Sequence, residues 1–296
     1  MDAIVPAGAP VRPARPRNWR LAAFARDRAA LVAAAILLLV VLASAAAPWI
    51  SAHGPYEADN LLRFAPPGTP GHLLGTDQQG RDEMARLLWG GRVSLTVGIV
   101  PTLCASVIGL ALGMVAGMLR GLVDHVIMRT LDVLFAFPIV LFAIAFAGAM
   151  TPGIGTEVLA ITVVLIPYLG RVARTATLGV MAMPYIEAAR AAGGSRIAIA
   201  LRYVFPNVLS PIIVYATTLM GLMIVVGSGL SFLGLGVQPP TADWGAMVAD
   251  GRVVLRRAPH VTIIPGVAIL LVSLFFNFLG DGLRDALDPR TGRRAS

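Results

Sequence analysis

The chain has 296 residues, of which 57% are apolar and only 14% carry a charge. Soluble domains are about 45–50% apolar and about 25% charged, so this composition excludes an ordinary soluble domain and predicts a protein largely surrounded by lipid. The formal net charge of +8 fits either a nucleic-acid-binding protein or a membrane protein with a basic cytoplasmic side. The arginines cluster at the ends of apolar segments, which favours the membrane protein and argues against a nucleic-acid partner.

The first 28 residues form a Pro- and Arg-rich segment, which we expect to be a cytoplasmic tail. Residues 29–50 follow as the first candidate span, since a helix needs roughly 20 apolar residues to cross a hydrocarbon core about 30 Å thick. A signal peptide is the alternative, because a basic leader precedes the span and small residues fill positions 43–47. The apolar run is longer than the 7–15 residues typical of a signal peptide, which favours a retained span.

The second predicted span covers residues 93–119 and carries glycines four residues apart. Gly109, Gly113 and Gly117 are followed at the same spacing by Gly121. A stripe of small residues on one helix face allows another helix to approach closely. The stripe fits either a dimerisation face or packing within the bundle, and we favour packing within the bundle.

Four further spans are predicted at residues 127–150, 158–180, 208–230 and 261–279, and a cytoplasmic tail at 291–296. The fold class is therefore an all-α membrane protein with six transmembrane helices within a single domain at 29–290. Five spans contain proline, which removes a backbone hydrogen bond and can kink a helix. These prolines are Pro101, Pro138, Pro167, Pro211 and Pro265.

The distribution of arginine predicts the orientation. All 24 basic residues are Arg. With the N-terminal tail in the cytoplasm, seventeen arginines lie in cytoplasmic segments and seven lie outside. Because cytoplasmic loops of membrane proteins carry the excess of basic residues, both termini are predicted to be cytoplasmic.

The cytoplasmic loop at residues 183–206, between the fourth and fifth spans, is predicted to form two short helices. Pro184 suits a first helical position, and Glu187 and Arg190 are spaced to pair on one face. Gly193 can end the first helix in a left-handed conformation, and Ser195 can cap the second. Pro206 disfavours helical geometry at the residue before it, so the second helix is predicted to stop at Phe205. On these grounds alone, the loop fits an amphipathic surface element equally well.

The residues of this loop resemble the coupling-loop signature of permease subunits from ATP-binding-cassette importers. The match consists of Glu187-Ala188-Ala189, then Gly193 after three residues, then Pro206 thirteen residues later. In that family the loop docks into a groove on the ATPase subunit. The resemblance implies that Glu187, Ala188, Ala189, Arg190, Gly193 and Pro206 form the ATPase-coupling site.

Three further motifs resemble the C-type permeases for dipeptides, oligopeptides and nickel. They are residues 74–82 (LGTDQQGRD), residues 230–236 (LSFLGLG) with two prolines at 239–240 and Trp244-Gly245, and residues 277–285 (NFLGDGLRD) with LDP at 287–289. The resemblance covers roughly residues 72–290. It departs from the family at Val226-Gly227-Ser228, where relatives often carry an acidic residue, and at Phe205, where Leu is usual.

Each of these motifs also has a purely structural interpretation, which we favour over direct contact with substrate. Thr76-Asp77 would cap a helix, with Asp82 and Arg86 paired on its surface. Gly234, Gly236 and the two prolines would form a turn. Asp281, Arg284 and Asp285 would anchor the last span at the membrane interface.

The resemblance implies a type I importer permease fold in the bacterial inner membrane and a set of partners. These are a second homologous permease subunit, two ATPase subunits that bind the ATP, an extracytoplasmic solute-binding protein, and membrane lipid. Di- or oligopeptides are the expected substrates, although the family also carries nickel and other small solutes, and the residues that bind substrate are not identified.

Several kinds of chemistry are missing from the sequence. A phosphate-binding P-loop requires a lysine, and the chain contains none, so ATP must be bound by another polypeptide. Cys104 is the single cysteine, which excludes an internal disulfide and a cysteine-based metal site. The histidines His53, His72, His125 and His260 are isolated in the sequence. We therefore predict no catalytic residues, no cofactor and no metal site in this chain.

Two other functional classes remain as alternatives. A secondary transporter or channel usually carries ionisable residues in the middle of its spans, and their scarcity here argues against that class. Asp132 and Asp281 lie near predicted cytoplasmic ends, and Glu157 lies near an outer end. A membrane enzyme or scaffold is disfavoured by the missing site chemistry.

Overall fold

A computed structural model describes residues 24–25 and 27–287 of the chain. The predicted C-terminal tail at 291–296 lies outside these residues, as does nearly all of the N-terminal tail at 1–28. The described part is almost entirely helical and contains isolated β-bridges but no β-strand. Five of its helices are long and apolar enough to cross a membrane, and a bent pair of helices makes a sixth candidate span.

Eleven segments build the bundle. In chain order they are α1 (Arg28–Ala45), α2 (Glu83–Leu119), α3 (Gly121–Phe135), α4 (Ile139–Gly148), α5 (Ile154–Met181), α6 (Pro184–Ala191), α7 (Arg196–Ile199), a π-helical turn (Ala200–Val204), α8 (Phe205–Phe232), α9 (Trp244–Gly251) and α10 (His260–Leu287). Short single turns at Ala47–Ile50, Asn60–Leu62 and Arg252–Val254 lie in the connections.

Helix α2 begins ten residues before the predicted start of the second span. Its N-cap is Asp82, whose side chain accepts a hydrogen bond from the backbone N–H of Ala85 at 2.7 Å. A helix of 37 residues is about 55 Å long, which exceeds a hydrocarbon core of about 30 Å. The first turns of α2 therefore project beyond the outer membrane surface, where α9 packs against them.

The segment predicted as an unbroken third span forms two helices instead. Helices α3 and α4 meet at an angle of 85° across a break of three residues. Pro138 lies at the break and precedes α4 with extended backbone geometry. Because proline restricts the residue before it to extended conformations and has no N–H to donate, α3 ends at Phe135 and a new helix starts after Pro138.

The glycine stripe of α2 packs directly against α5. A Cβ atom on Gly113 would lie 2.5 Å from the Cβ of Ala173, and one on Gly117 would lie 2.7 Å from the side chain of Thr177. This confirms the prediction that the stripe serves packing within the bundle. Gly121 differs from the other three, because it begins α3 with φ of 60° and has open space around it.

The core has two parts. The larger one lies between α2, α5 and α8, and a smaller cluster joins α1, α9 and α10 to the outer half of α2 and α8. Many large apolar side chains face outward, as expected for helices in lipid. They include Leu38, Leu39, Val107, Val140, Leu222 and Leu270.

Candidate functional site

Helix α6 forms the first half of the predicted coupling loop. It starts with Pro184 in the first turn and ends in two backbone hydrogen bonds, from Gly193 N–H to Arg190 O and from Gly194 N–H to Ala189 O, both at 3.0 Å. These are the two bonds of a Schellman cap. Gly193 has φ of 81°, the left-handed conformation that the sequence predicts.

The second half of the loop differs from its prediction, because the helix does not stop at Phe205. Ser195 caps α7 as predicted, accepting a hydrogen bond from Ala198 N–H at 3.2 Å. The chain then passes through the π-helical turn into α8, giving one continuous helix over Arg196–Phe232. Phe205 N–H bonds to Ala200 O, five residues back. This wider turn accommodates the Pro206 ring, which would clash with the carbonyl of residue 202 in a regular α-helix.

The loop is fixed to the membrane bundle by a row of buried aliphatic residues that the sequence prediction missed. Ile186 and Val204 are fully buried, Ile199 nearly so, and all belong to the larger core together with Val208. The spacing of five between Ile199 and Val204 fits a π-helical turn, followed by a helical spacing of four to Val208. This spacing of apolar residues is visible in the sequence alone and indicates a helix that continues through Phe205.

The predicted coupling residues form an exposed surface on the cytoplasmic side, here called the coupling surface. It consists of the exposed Glu187, Ala188, Arg190, Gly193 and Pro206 and the half-buried Ala189. The expected pairing of Glu187 with Arg190 is not formed, and neither residue makes an ion pair within the described part of the chain. Both side chains are therefore available to a partner.

A cavity of about 1300 Å³ lies beside the coupling surface, and we call it the inner cavity. The last three turns of α2 form one wall, and α7, the π-helical turn and the start of α8 form the other. Glu187 and Arg190 lie at its edge together with Arg120 and Arg196.

Two ion pairs join α3 to α5 elsewhere on the cytoplasmic half. Arg174 holds Asp124 through two hydrogen bonds of 2.6 Å, and Arg171 bonds to Asp132 at 2.5 Å. The Arg171 guanidinium also lies 3.7 Å from the centre of the Phe135 ring. These contacts fix α3 to the bundle next to the break that precedes α4.

On the outer side, the motif at residues 74–82 builds a buried charge network whose pairing differs from the predicted one. Asp77 bonds to Arg81 at 2.6 Å and lies 3.4 Å from Arg86. Asp82, and not Thr76-Asp77, caps the helix. It does not pair with Arg86, because its two oxygens are taken by Ala85 N–H and by His72 at 2.9 Å. The motif thus holds the outer loop against the start of α2.

His53 and His72 are not isolated in the structure, since their rings stack with centroids 4.6 Å apart and planes inclined by 20°. Their nitrogens and an oxygen of Asp82 lie within 4.8 Å of one another. An ion bound by both imidazoles would have to lie in the plane of each ring, and nearly parallel planes do not meet close to the rings. The stacking is instead explained by hydrogen bonds to Asp82 and to Gly71 O.

The Trp244-Gly245 motif positions a short outer helix over the bundle. Trp244 Nε1 donates to Leu87 O at 2.9 Å, and a Cβ on Gly245 would lie 2.3 Å from Ser228 O. The preceding Asp243 accepts hydrogen bonds from Ser94 Oγ and Ala246 N–H. Burial raises the pKa of Asp243 above the usual aspartate range. These contacts support the structural interpretation of the motif.

Comparisons with known proteins identify the family. Residues 109–293 match the binding-protein-dependent transport system inner membrane components, and residues 18–67 match the N-terminal transmembrane domain of oligopeptide transport permease C. The chain belongs to the family of binding-protein-dependent inner membrane components. This permease is thus the membrane-spanning, multi-pass subunit of a bacterial ATP-binding-cassette importer, which works with an ATPase and a solute-binding protein.

Relatives and solved structures agree with that assignment. The permease is 43% identical to the glutathione transport system permease protein GsiD of Pectobacterium atrosepticum over 82% of this chain and 81% of that protein. It is 41% identical to GsiD of an Escherichia coli O6:K15:H31 strain over 92% and 89% of the two chains. The inward-facing methionine ABC transporter MetNI shares the fold, with a TM-score of 0.56, 18% identity and coverage of 69% and 97%.

Proposed function

We propose that this permease forms half of the translocation pathway of a peptide importer and is driven through its coupling surface by a separate ATPase. The observation that carries the proposal is the two-sided construction of the loop. Glu187 and Arg190 face outward and make no ion pair with any described residue, whereas Ile186, Ile199 and Val204 are buried in the bundle core. A push on the exposed side is therefore transmitted to the spans.

The route of transmission follows the chain. Gly193 and Gly194 separate α6 from the helix that starts at Arg196, so α6 can seat against an ATPase without bending that helix. The continuous helix over Arg196–Phe232 then crosses the membrane and reaches Ser231, which lies beside the buried Glu157 on the outer half. A shift of this helix at its inner end would also move the residues that pack at its outer end.

The partners follow from the resemblance of the coupling loop. A second homologous permease would supply the other half of the pathway, and two ATPase subunits would bind the ATP, for which this chain has no P-loop lysine. A solute-binding protein would deliver substrate from outside. Glutathione, the substrate named for the relatives, is a tripeptide, which supports a small peptide as the solute.

The substrate assignment is tested separately from the coupling. Titration of the transporter's binding protein with glutathione, with dipeptides and with a nickel complex in a calorimeter should give its tightest binding with a peptide. Tight binding of nickel alone would overturn the peptide assignment and leave the coupling proposal intact.

The coupling proposal is tested with the double variant Glu187→Ala/Gly193→Val in the complete transporter. Uptake should fall about tenfold or more, because the coupling surface loses the Glu187 carboxylate and the left-handed cap loses its glycine. Expression level and the melting temperature of the purified complex should stay close to wild type. The control is Glu57→Gln, which removes an exposed acid on the opposite side of the membrane. Full uptake by the double variant would overturn the coupling role.

A further inference from the structure

The inner cavity combines an apolar interior with a basic edge. Its walls include Val107, Met114 and Met118 from α2 and Leu201 and Leu209 from the opposite wall. Its volume of about 1300 Å³ exceeds the roughly 300–1,000 Å³ of most small-molecule pockets. A long, flexible apolar ligand fits such a space better than a compact polar one, and methionine side chains adapt readily to chains of this kind.

The edge of the cavity carries an excess of positive charge that the chain does not neutralise. Arg120, Arg190 and Arg196 stand there with one acid, Glu187, and none of the three arginines has an ion-pair partner among the described residues. By contrast, Arg171 and Arg174, which face α3, each hold an aspartate. Arg129 and Arg202 on the cytoplasmic side also lack an ion-pair partner among the described residues, so the cavity is distinguished by three such arginines beside an apolar lining.

Arg120 occupies a backbone position that is poorly suited to an arginine. It has φ of 52° at the junction of α2 and α3, in the region where glycine is the unstrained residue. A side chain with a Cβ atom makes this backbone conformation strained. An arginine at this position is therefore not explained by the backbone, whereas a negatively charged ligand at the cavity edge would explain it.

We propose that the inner cavity binds one anionic phospholipid of the inner leaflet, with its phosphate at Arg120 and Arg196 and an acyl chain between α2 and α8. Guanidinium groups match the geometry of phosphate oxygens and bind them through paired hydrogen bonds. Basic pockets between spans on the cytoplasmic side are where anionic headgroups are held. The bound lipid would contact the π-helical turn, which also lines the cavity. The proposal is independent of which solute is transported.

The test measures lipid binding to the complete, delipidated transporter by native mass spectrometry. Phosphatidylglycerol should bind at one site with higher affinity than phosphatidylcholine. The variant Arg120→Gln/Arg196→Gln should weaken phosphatidylglycerol binding by about fivefold for each arginine removed. The control Arg129→Gln/Arg284→Gln removes the same charge from exposed cytoplasmic positions outside the cavity lining and should bind as wild type does.

A second variant separates the pocket from simple charge attraction. Ala111→Trp narrows the cavity beside α2 while leaving all three arginines, and it should weaken phosphatidylglycerol binding. Equal binding of phosphatidylcholine, undiminished binding in Ala111→Trp, or full competition by glycerol phosphate would each overturn the proposal. So would failure of the complete transporter to bind phosphatidylglycerol at one site, because the second permease subunit would then occupy the cavity.

Discussion

At the residue scale, single glycines decide how closely the helices approach. Gly113 allows α2 to contact α5 near Ala173, and the same stripe carries Gly109 and Gly117. The sequence shows this stripe clearly because its spacing is local. The sequence does not show which helix packs against the stripe, since that contact joins residues about sixty positions apart.

Replacement of Gly113 by alanine should destabilise the permease by about 1–3 kcal/mol, because the new Cβ would lie 2.5 Å from the Ala173 Cβ and overpack the interface. Thermal unfolding of the purified complex in detergent measures the effect. The matched control is Gly179→Ala on α5, where the added Cβ meets no atom within 4 Å and stability should be unchanged or slightly increased. Equal melting temperatures for the two variants would contradict the close packing.

At the element scale, the π-helical turn joins the coupling loop to its span. The extra residue in this turn keeps Ile199, Val204 and Val208 in one core while accommodating Pro206. The prediction that the helix ends at Phe205 was wrong. It considered only the local effect of Pro206, whereas the burial of Ile199, Val204 and Val208 in the core keeps this segment helical. Tertiary packing therefore determines the conformation of this segment. In the sequence, only the spacing of the three buried residues indicates it.

Deletion of Arg202 removes the extra residue of the wide turn and should rotate α6 and α7 by about 100° relative to α8. Uptake by the complete transporter should then fall about tenfold or more, because the coupling surface no longer faces its partner. The substitution Arg202→Ala keeps the residue count and should lose far less uptake. A deletion variant that transports as well as the substitution would show that the register of this turn is unimportant.

At the scale of the whole molecule, the arginine distribution predicts which side of the membrane each connection occupies. Leu61 lies in the first outer connection and is 94% exposed, and Leu122 lies at the cytoplasmic start of α3 and is 79% exposed. Apolar runs and charge alone are sufficient for this prediction. The 85° break in the third span, the buried charge network around Asp77 and the stacked histidines depend on contacts between distant residues and were not predictable in this way.

Cysteine labelling tests the orientation in a Cys104→Ala background, which leaves no other thiol in the chain. An impermeant maleimide added to intact spheroplasts should label Leu61→Cys and not Leu122→Cys. After permeabilisation, both variants should be labelled, which shows that the inner position reacts when reached. Labelling of Leu122→Cys alone in intact spheroplasts would reverse the assigned orientation.

The break between α3 and α4 also determines what can surround this part of the permease. Helix α4 has ten residues and is about 15 Å long, half the thickness of the hydrocarbon core, so the break lies at membrane depth. Backbone groups released by a broken helix need hydrogen-bond partners that acyl chains do not provide. Phe137 at the break is 53% exposed in the single chain. This face therefore belongs against another polypeptide or a water-filled passage, and not against lipid.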